Sequence, residues 1–215
     1  MNKPNKTTKA TRLSTQSEQH SGNRYGRSEK ARQAVLEAAD NLLVELGFAA
    51  LTVEAIAAKA GVGKQTIYRW WKSKTDVLLE AFLDDAAQHL NPPDTGNLEA
   101  DLSSHLNQCA RFFAHSDAGA VFRALIGAAQ HDAALARELR AKYLDQQRAR
   151  DRLPVVRAIE RGELRSDLDV DAVIDTLIAP LHYRILVSGQ PVTRSYTDTL
   201  VRQVLVRLNA LGIGF

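Results

Sequence analysis

Residues 52–74 read TVEAIAAKAGVGKQTIYRWWKSK, and this stretch restricts the fold more than any other part of the chain. Val53, Ile56, Ala57 and Ala60 recur at i, i+3, i+4 and i+7, which predicts a helix with one apolar stripe. Thr52 stands where a side-chain oxygen caps such a helix. Gly61 follows where the chain must turn, and glycine takes positive φ without steric cost. A second short helix is expected over roughly Gly63 to Trp71. Its Val62, Ile67 and Trp71 face inward, leaving Lys64, Gln65, Thr66, Tyr68, Arg69 and Trp70 to point outward or sideways. Helix, glycine turn, short donor-rich helix and basic exit is the layout of a DNA-reading helix-turn-helix.

The flanks fit a small support for that reader. Ser28 to Gly47 reads as a first helix, with Ser28 as N-cap and Gly47 as stop. Val35, Leu36, Ala39, Leu42, Leu43 and Leu46 supply its stripe, and Phe48 and Leu51 plug the same core. Residues 1–27 are polar, carry 6 Lys+Arg and lack periodicity, so they are expected to be disordered. They are either a solubilising tail or a basic arm reaching phosphates or the minor groove. A fourth helix, from Lys74 or Thr75 to about Leu90, connects the reader to the rest. The breaker run Asn91-Pro92-Pro93-Asp94-Thr95-Gly96 stops it.

Charge divides the chain at the same place. Residues 1–75 hold 13 Lys+Arg and 6 Asp+Glu, while residues 76–215 hold 15 and 19. A basic head on a mildly acidic body suits a polyanion ligand for the head alone. No apolar run is long enough to span a membrane, and the N-terminus lacks the apolar core of a secretory signal, so a cytoplasmic location is expected. The single cysteine, Cys109, excludes an intramolecular disulfide.

Beyond the fourth helix only helices are expected: Leu98–His115, Ala118–Gln130, Ala133–Arg161, Val170–Gly189 and Thr193–Leu211. Pro154 and Pro180 should break or kink theirs. The fold class is therefore all-α: a three-helix head over residues 28–75 and a helical body over 76–215. Walker, dinucleotide-binding, nucleophile-elbow, zinc-protease and EF-hand signatures are missing, so an enzyme, a cofactor and a metal are not expected. Cys109 reads as a core thiol, and His182 as a core or interface histidine that is also able to hydrogen-bond a ligand.

The string Thr52, Ile56-Ala57, Ala60-Gly61-Val62, Thr66, Tyr68, Trp71, Lys74, Leu78 resembles the DNA-binding domain of TetR-family transcriptional regulators, over roughly Ser28 to Leu79. Two positions depart from it: Gly63 replaces a capping serine or threonine, and Trp70-Trp71 replaces a His-Phe-like pair. Arg161-Gly162-Glu163-Leu164 and Tyr183-Arg184-Ile185-Leu186 are looser echoes in the body. The resemblance implies phosphate contacts from Tyr68, Lys72 and Lys74, with Thr52 adding one. Lys64, Gln65 and Thr66 open the reading helix, where base edges are met, and Arg69 and Trp70 suit either base or backbone.

The resemblance also implies a small-molecule inducer in the body. Phe82, Leu106, Phe112, Phe113, Phe122, Leu125, Ile126, Tyr143, Leu177 and His182 are the candidate lining, and a filled core is the competing reading. It implies, too, a homodimer through the last two helices, whose stripes are Val173, Leu177, Leu181, Ile185 and Leu200, Val204, Leu205, Leu208, Leu211. A two-fold dimer addresses a palindromic operator in successive major grooves. The function so implied is a ligand-released repressor. A constitutive or architectural DNA-binding protein without inducer, or an activator, is the alternative.

Overall fold

The structure, a computed structural model, describes residues 18–210. Helix α1 spans Glu18–Ala50, with a break at Gly47 (φ 75°, ψ 165°). It therefore ends its regular run at the expected glycine but begins ten residues before Ser28. Ser28 lies inside the helix and is not its cap. The expectation of disorder is corrected for residues 18–27. The physical reason is that an anchored helix extends through polar residues one hydrogen bond at a time, without a new nucleation cost. Residues 1–17 of the expected basic arm, which was read over residues 1–27, fall outside the described residues, as does Leu211.

Helices α2 (Val53–Ala60), α3 (Lys64–Tyr68) and α4 (Lys74–His89) complete the head and its connector. Val35, Ala39, Leu51, Ile56, Ile67, Val77 and Leu78 are buried together, so the predicted stripes meet as one small core. Next come α5 (Leu98–His115), α6 (Asp117–Ala129), α7 (Ala133–Leu139), a π-helical turn (Arg140–Leu144) and α8 (Asp145–Glu160). The chain closes with α9 (Val170–Tyr183), a second π-helical turn (Arg184–Ser188) and α10 (Arg194–Ala210). No strand occurs among the described residues.

Neither proline breaks its helix. Helix α8 runs from Asp145 to Glu160 through Pro154, and α9 runs through Pro180. Pro154 is itself buried in the body beside Val155 and Ala158, and this packing holds the helix across the missing hydrogen bond. The irregularities fall elsewhere, at the two π turns, where a residue is accommodated by i→i+5 bonding. Gly189 Nα donates to Arg184 O at 2.9 Å in that pattern.

Head and body share a continuous core. Helix α4 packs on α1 on one side and α6 on the other. Its Phe82 is completely buried, 4.6 Å from the Tyr143 ring and 5.6 Å from the Phe122 ring (centroids). The α5–α6 corner is close enough that a Cβ on Gly119 would overlap the backbone carbonyls of Phe112 and Phe113. Only glycine permits that approach.

Candidate nucleic-acid interface and body cavity

The short reader is assembled by local bonds. Thr52 Oγ1 accepts from Ala55 Nα at 3.1 Å and starts α2. Gly61 adopts φ 66° and ends it, with Val62 Nα reaching back to Ala57 O at 3.0 Å. Gly63 opens α3 without a side-chain cap, the consequence of its departure from serine or threonine. Helix α3 stops at Tyr68, shorter than the expected Trp71, and residues 69–70 form a turn.

That turn points neighbouring tryptophans different ways. Trp71 is buried, and its Nε1 donates to Glu80 Oε2 at 2.7 Å. Trp70 stays half-buried, edge-on to Trp71, with the Arg69 guanidinium 5.0 Å from its ring. Arg32 of α1 binds the other oxygen of Glu80 (Nε–Oε1 2.6 Å) and also Asp84 (3.1 Å). Glu80 thus ties α1, the exit of α3 and α4 into one unit. Sequence reading missed Arg32 and Glu80, because the residues they join are 9 to 52 positions apart.

The outward face carries Lys64, Gln65, Tyr68, Arg69 and Lys72, all exposed, with Thr66 half-buried. Tyr68 is 51% exposed, so its phenol is open to solvent. Lys64 pairs with Glu54 of α2, so its ammonium is steered without being buried. Thr52 is exposed but already occupied as a cap.

Lys74 is held more tightly than the other cations expected at DNA. Its Nζ donates to Phe48 O at 2.6 Å and Leu51 O at 2.8 Å, 4.4 Å from the Phe48 ring centroid. With two of its three N–H donors the ammonium fastens α4 to the end of α1 and the residue after it, which leaves one donor for a phosphate. Asp76 holds the same junction from the other side: its carboxylate accepts from Lys72 Nα and Ser73 Nα at 2.9 and 3.1 Å, and Ser73 Oγ accepts from Asp76 Nα. This capping box fixes where α4 leaves the head.

The body contains a cavity of about 320 Å³ between α5, the first π turn, α8 and α9. Of the ten candidate lining residues, Phe113, Tyr143 and His182 border it. Phe82, Leu106, Phe112, Phe122, Leu125 and Leu177 do not; they are buried in the core, and Ile126 packs against that core. For these seven the filled-core reading holds at this cavity, because aromatic rings stacked at 5–6 Å fill the space between α4, α5 and α6.

The lining that sequence reading missed is polar. Asp151 Oδ1 accepts from His105 Nε2 and from Gln147 Nε2, both at 2.7 Å. Cys109 Sγ lies 3.8 Å from the same His105 nitrogen, and burial pushes its thiol well above the usual range. It is the expected core thiol, but one that faces a polar group. His182 Nε2 is buried without a hydrogen-bond partner, and burial pulls its pKa below 6.5, so the ring is neutral at pH 7. The i, i+4 pair His105/Cys109 was visible in the sequence, but Asp151 reaches it only through the fold.

The expected dimer stripes are largely consumed within the chain. Val173, Leu177, Leu181, Val204 and Leu208 are buried already. The residues left outward are Tyr183 (59% exposed), Val187 (72%) and Val206 (63%).

Comparison with known proteins bears on both halves. Residues 35–81 match the bacterial regulatory proteins of the tetR family, and residues 92–204 match the tetracyclin repressor-like C-terminal domain. The chain is 41% identical to the uncharacterized HTH-type transcriptional regulator YdeS of Bacillus subtilis, over 81% of this chain and 88% of that protein. It is 32% identical to the DNA-binding transcriptional repressor TetR of Mycobacteroides abscessus, over 85% and 95% respectively. The crystal structure of the TetR family transcription regulator SCO0332 superposes with a TM-score of 0.70 at 36% identity, covering 82% of this chain and 97% of that one. With the reader geometry and both halves matched, the chain belongs to the TetR family of bacterial transcriptional regulators and is a DNA-binding protein, not an enzyme.

Proposed function

We propose that the protein is a homodimeric repressor that leaves a palindromic operator when a small molecule enters the body cavity. The observation that carries this reading is the double attachment of α4. At its start α4 is locked to the reader through Trp71, Glu80, Arg32 and Lys74. At Phe82 it touches Tyr143, which borders the cavity. A ligand that prefers one placement of Tyr143 therefore biases the placement of the reader, by no more than its differential affinity for the two states.

Lys72, Arg69 and Tyr68 are assigned to phosphates, and Lys64, Gln65 and Thr66 to base edges. The outward Tyr183, Val187 and Val206 support pairing of α9 and α10 with their two-fold copies. The relative named a DNA-binding transcriptional repressor supports the sign of regulation.

The test is selection of genomic fragments on the purified protein, followed by salt titration on the best fragment. A palindromic motif with a steep salt slope is expected. Lys72→Ala should reduce that slope by about 1 on any DNA, whereas Gln65→Ala should cost roughly 1–3 kcal/mol on the motif and little on random DNA. Weak binding to every fragment would instead favour an architectural protein.

A further inference from the structure

The cavity of the body has a chemical polarity of its own. Its deep end holds Asp151, whose side chain is 7% exposed. Both of its donors, His105 and Gln147, share Oδ1, which leaves Oδ2 to the cavity. Arg150, outside the lining, donates through Nε to Gln147 Oε1 at 3.0 Å. Burial keeps His182 neutral, keeps the Cys109 thiol protonated and holds the Tyr143 hydroxyl un-ionised. Arg140 and Arg148 also line the cavity, but so do Asp145 and Asp175. Arg148 is taken up by Asp171 (3.0 Å) and Asp175 (2.6 Å). The formal balance of the lining is two cations against three carboxylates.

The walls are aromatic. Phe113, Tyr143 and His182 all border the space, and the His182 ring lies 5.6 Å from that of Phe113. Aromatic faces attract cations, more strongly away from water. The volume, about 320 Å³, sits at the low end of the range for small-molecule pockets (roughly 300–1,000 Å³).

We infer that this cavity takes a small aromatic cation, an amidinium, an ammonium or a protonated heterocycle, with its head on Asp151 and its ring against Phe113, Tyr143 and His182. The inference rests on the reading of the cavity as the ligand site. It disfavours carboxylates and phosphorylated ligands, whose negative charge would meet Asp151. His182 Nε2, which has no partner in the protein, then serves polar substituents on the ring.

Four probes with one ring and different heads test it on the full chain: benzamidine, benzylamine, benzyl alcohol and benzoate, followed by calorimetry. Benzamidine and benzylamine should bind at least about tenfold more tightly than benzoate, with benzyl alcohol between. Asp151→Asn should remove the preference for the cations over benzoate. The wild-type ranking stands without the variant, should Asp151→Asn fail to fold.

Benzoate binding as well as benzamidine would overturn the cation assignment and keep the cavity. Binding of none of the four would overturn the cavity as a ligand site altogether. Release of DNA is read separately, so a cation that binds without weakening the operator complex supports the ligand class and counts only against ligand-triggered release. Zn²⁺ is the remaining arm. His105, Cys109 and Asp151 offer ligand atoms within 4.8 Å of one another. Protection of Cys109 from a thiol reagent by Zn²⁺ but not by benzamidine would give the carboxylate to a metal and overturn the organic cation.

Discussion

Two carboxylates govern the two halves of the molecule, and they are finished to different degrees. Glu80 in the connector has both oxygens occupied, one by Arg32 and one by the Trp71 indole. Asp151 in the body has two donors on a single oxygen and an unpartnered imidazole across the cavity. A fully satisfied polar network fixes one geometry, because any departure strands a polar group. A partly satisfied one leaves free energy to be gained by a newcomer. The difference teaches where each task resides: the head carries position from one end of α4 to the other, and the body supplies the variable.

The largest break should come from the closed network. Trp71→Ala removes an indole that is 3% exposed and orphans one oxygen of Glu80. The expected loss is about 3–5 kcal/mol in urea unfolding, with operator binding lost in parallel. If binding falls while stability holds, Trp71 touches DNA and is not the anchor described here. In the body, His105→Ala withdraws one of the two donors on Asp151 and opens a cavity beside Cys109. A destabilisation of roughly 1–3 kcal/mol is expected, with reader contacts and salt slope intact. Lys74→Ala separates the two roles of a basic residue at the junction. It should cost about 1–2 kcal/mol of stability, through the carbonyls of Phe48 and Leu51. The operator salt slope should move less than with Lys72→Ala. A reversed order would return Lys74 to the phosphate contacts.

What could be read in the sequence follows the same division. The reader was legible because its determinants are neighbours: Thr52 caps a bond three residues on, Gly61 ends α2 beside it, and Ser73 with Asp76 caps α4. Helix α5 was bounded correctly by Leu98 and His115, since Asn97 caps one end and Ser116 stands at the other. The anchoring role of Lys74 was not legible because its partners lie 23 and 26 residues back, across a turn. Aromatic content by itself does not distinguish open space from filled space. Phe82, Phe112 and Phe122 in fact stack on each other and fill theirs. The polar lining is assembled across 46 residues, from His105 to Asp151, and no local pattern in the sequence encodes that pairing.

A third carboxylate extends the comparison to no partner at all. Asp40 of α1 has a buried Oδ1 without a hydrogen bond, and its carboxyl is pushed up to about 7. Burial is the main cause, and the charges of Asp85 on α4 and Asp117 on α6 add to it. The folded protein therefore holds a proton that the unfolded chain releases near pH 4. Stability from this group is fully present below about pH 4, declines as pH rises toward about 7, and levels off above it. Asp40→Asn should flatten that decline. Asn still leaves polar atoms to satisfy and the site is partly exposed, so the gain above pH 7 is discounted to about 1–2 kcal/mol. Urea unfolding of both proteins at pH 5 and pH 8 reads it directly: the variant should gain clearly more at pH 8 than at pH 5. Equal effects at the two values would mean that Asp40 does not change protonation between them. The junction of α1, α4 and α6 would then tolerate its charge, and proton uptake there would have no influence on how the head sits on the body.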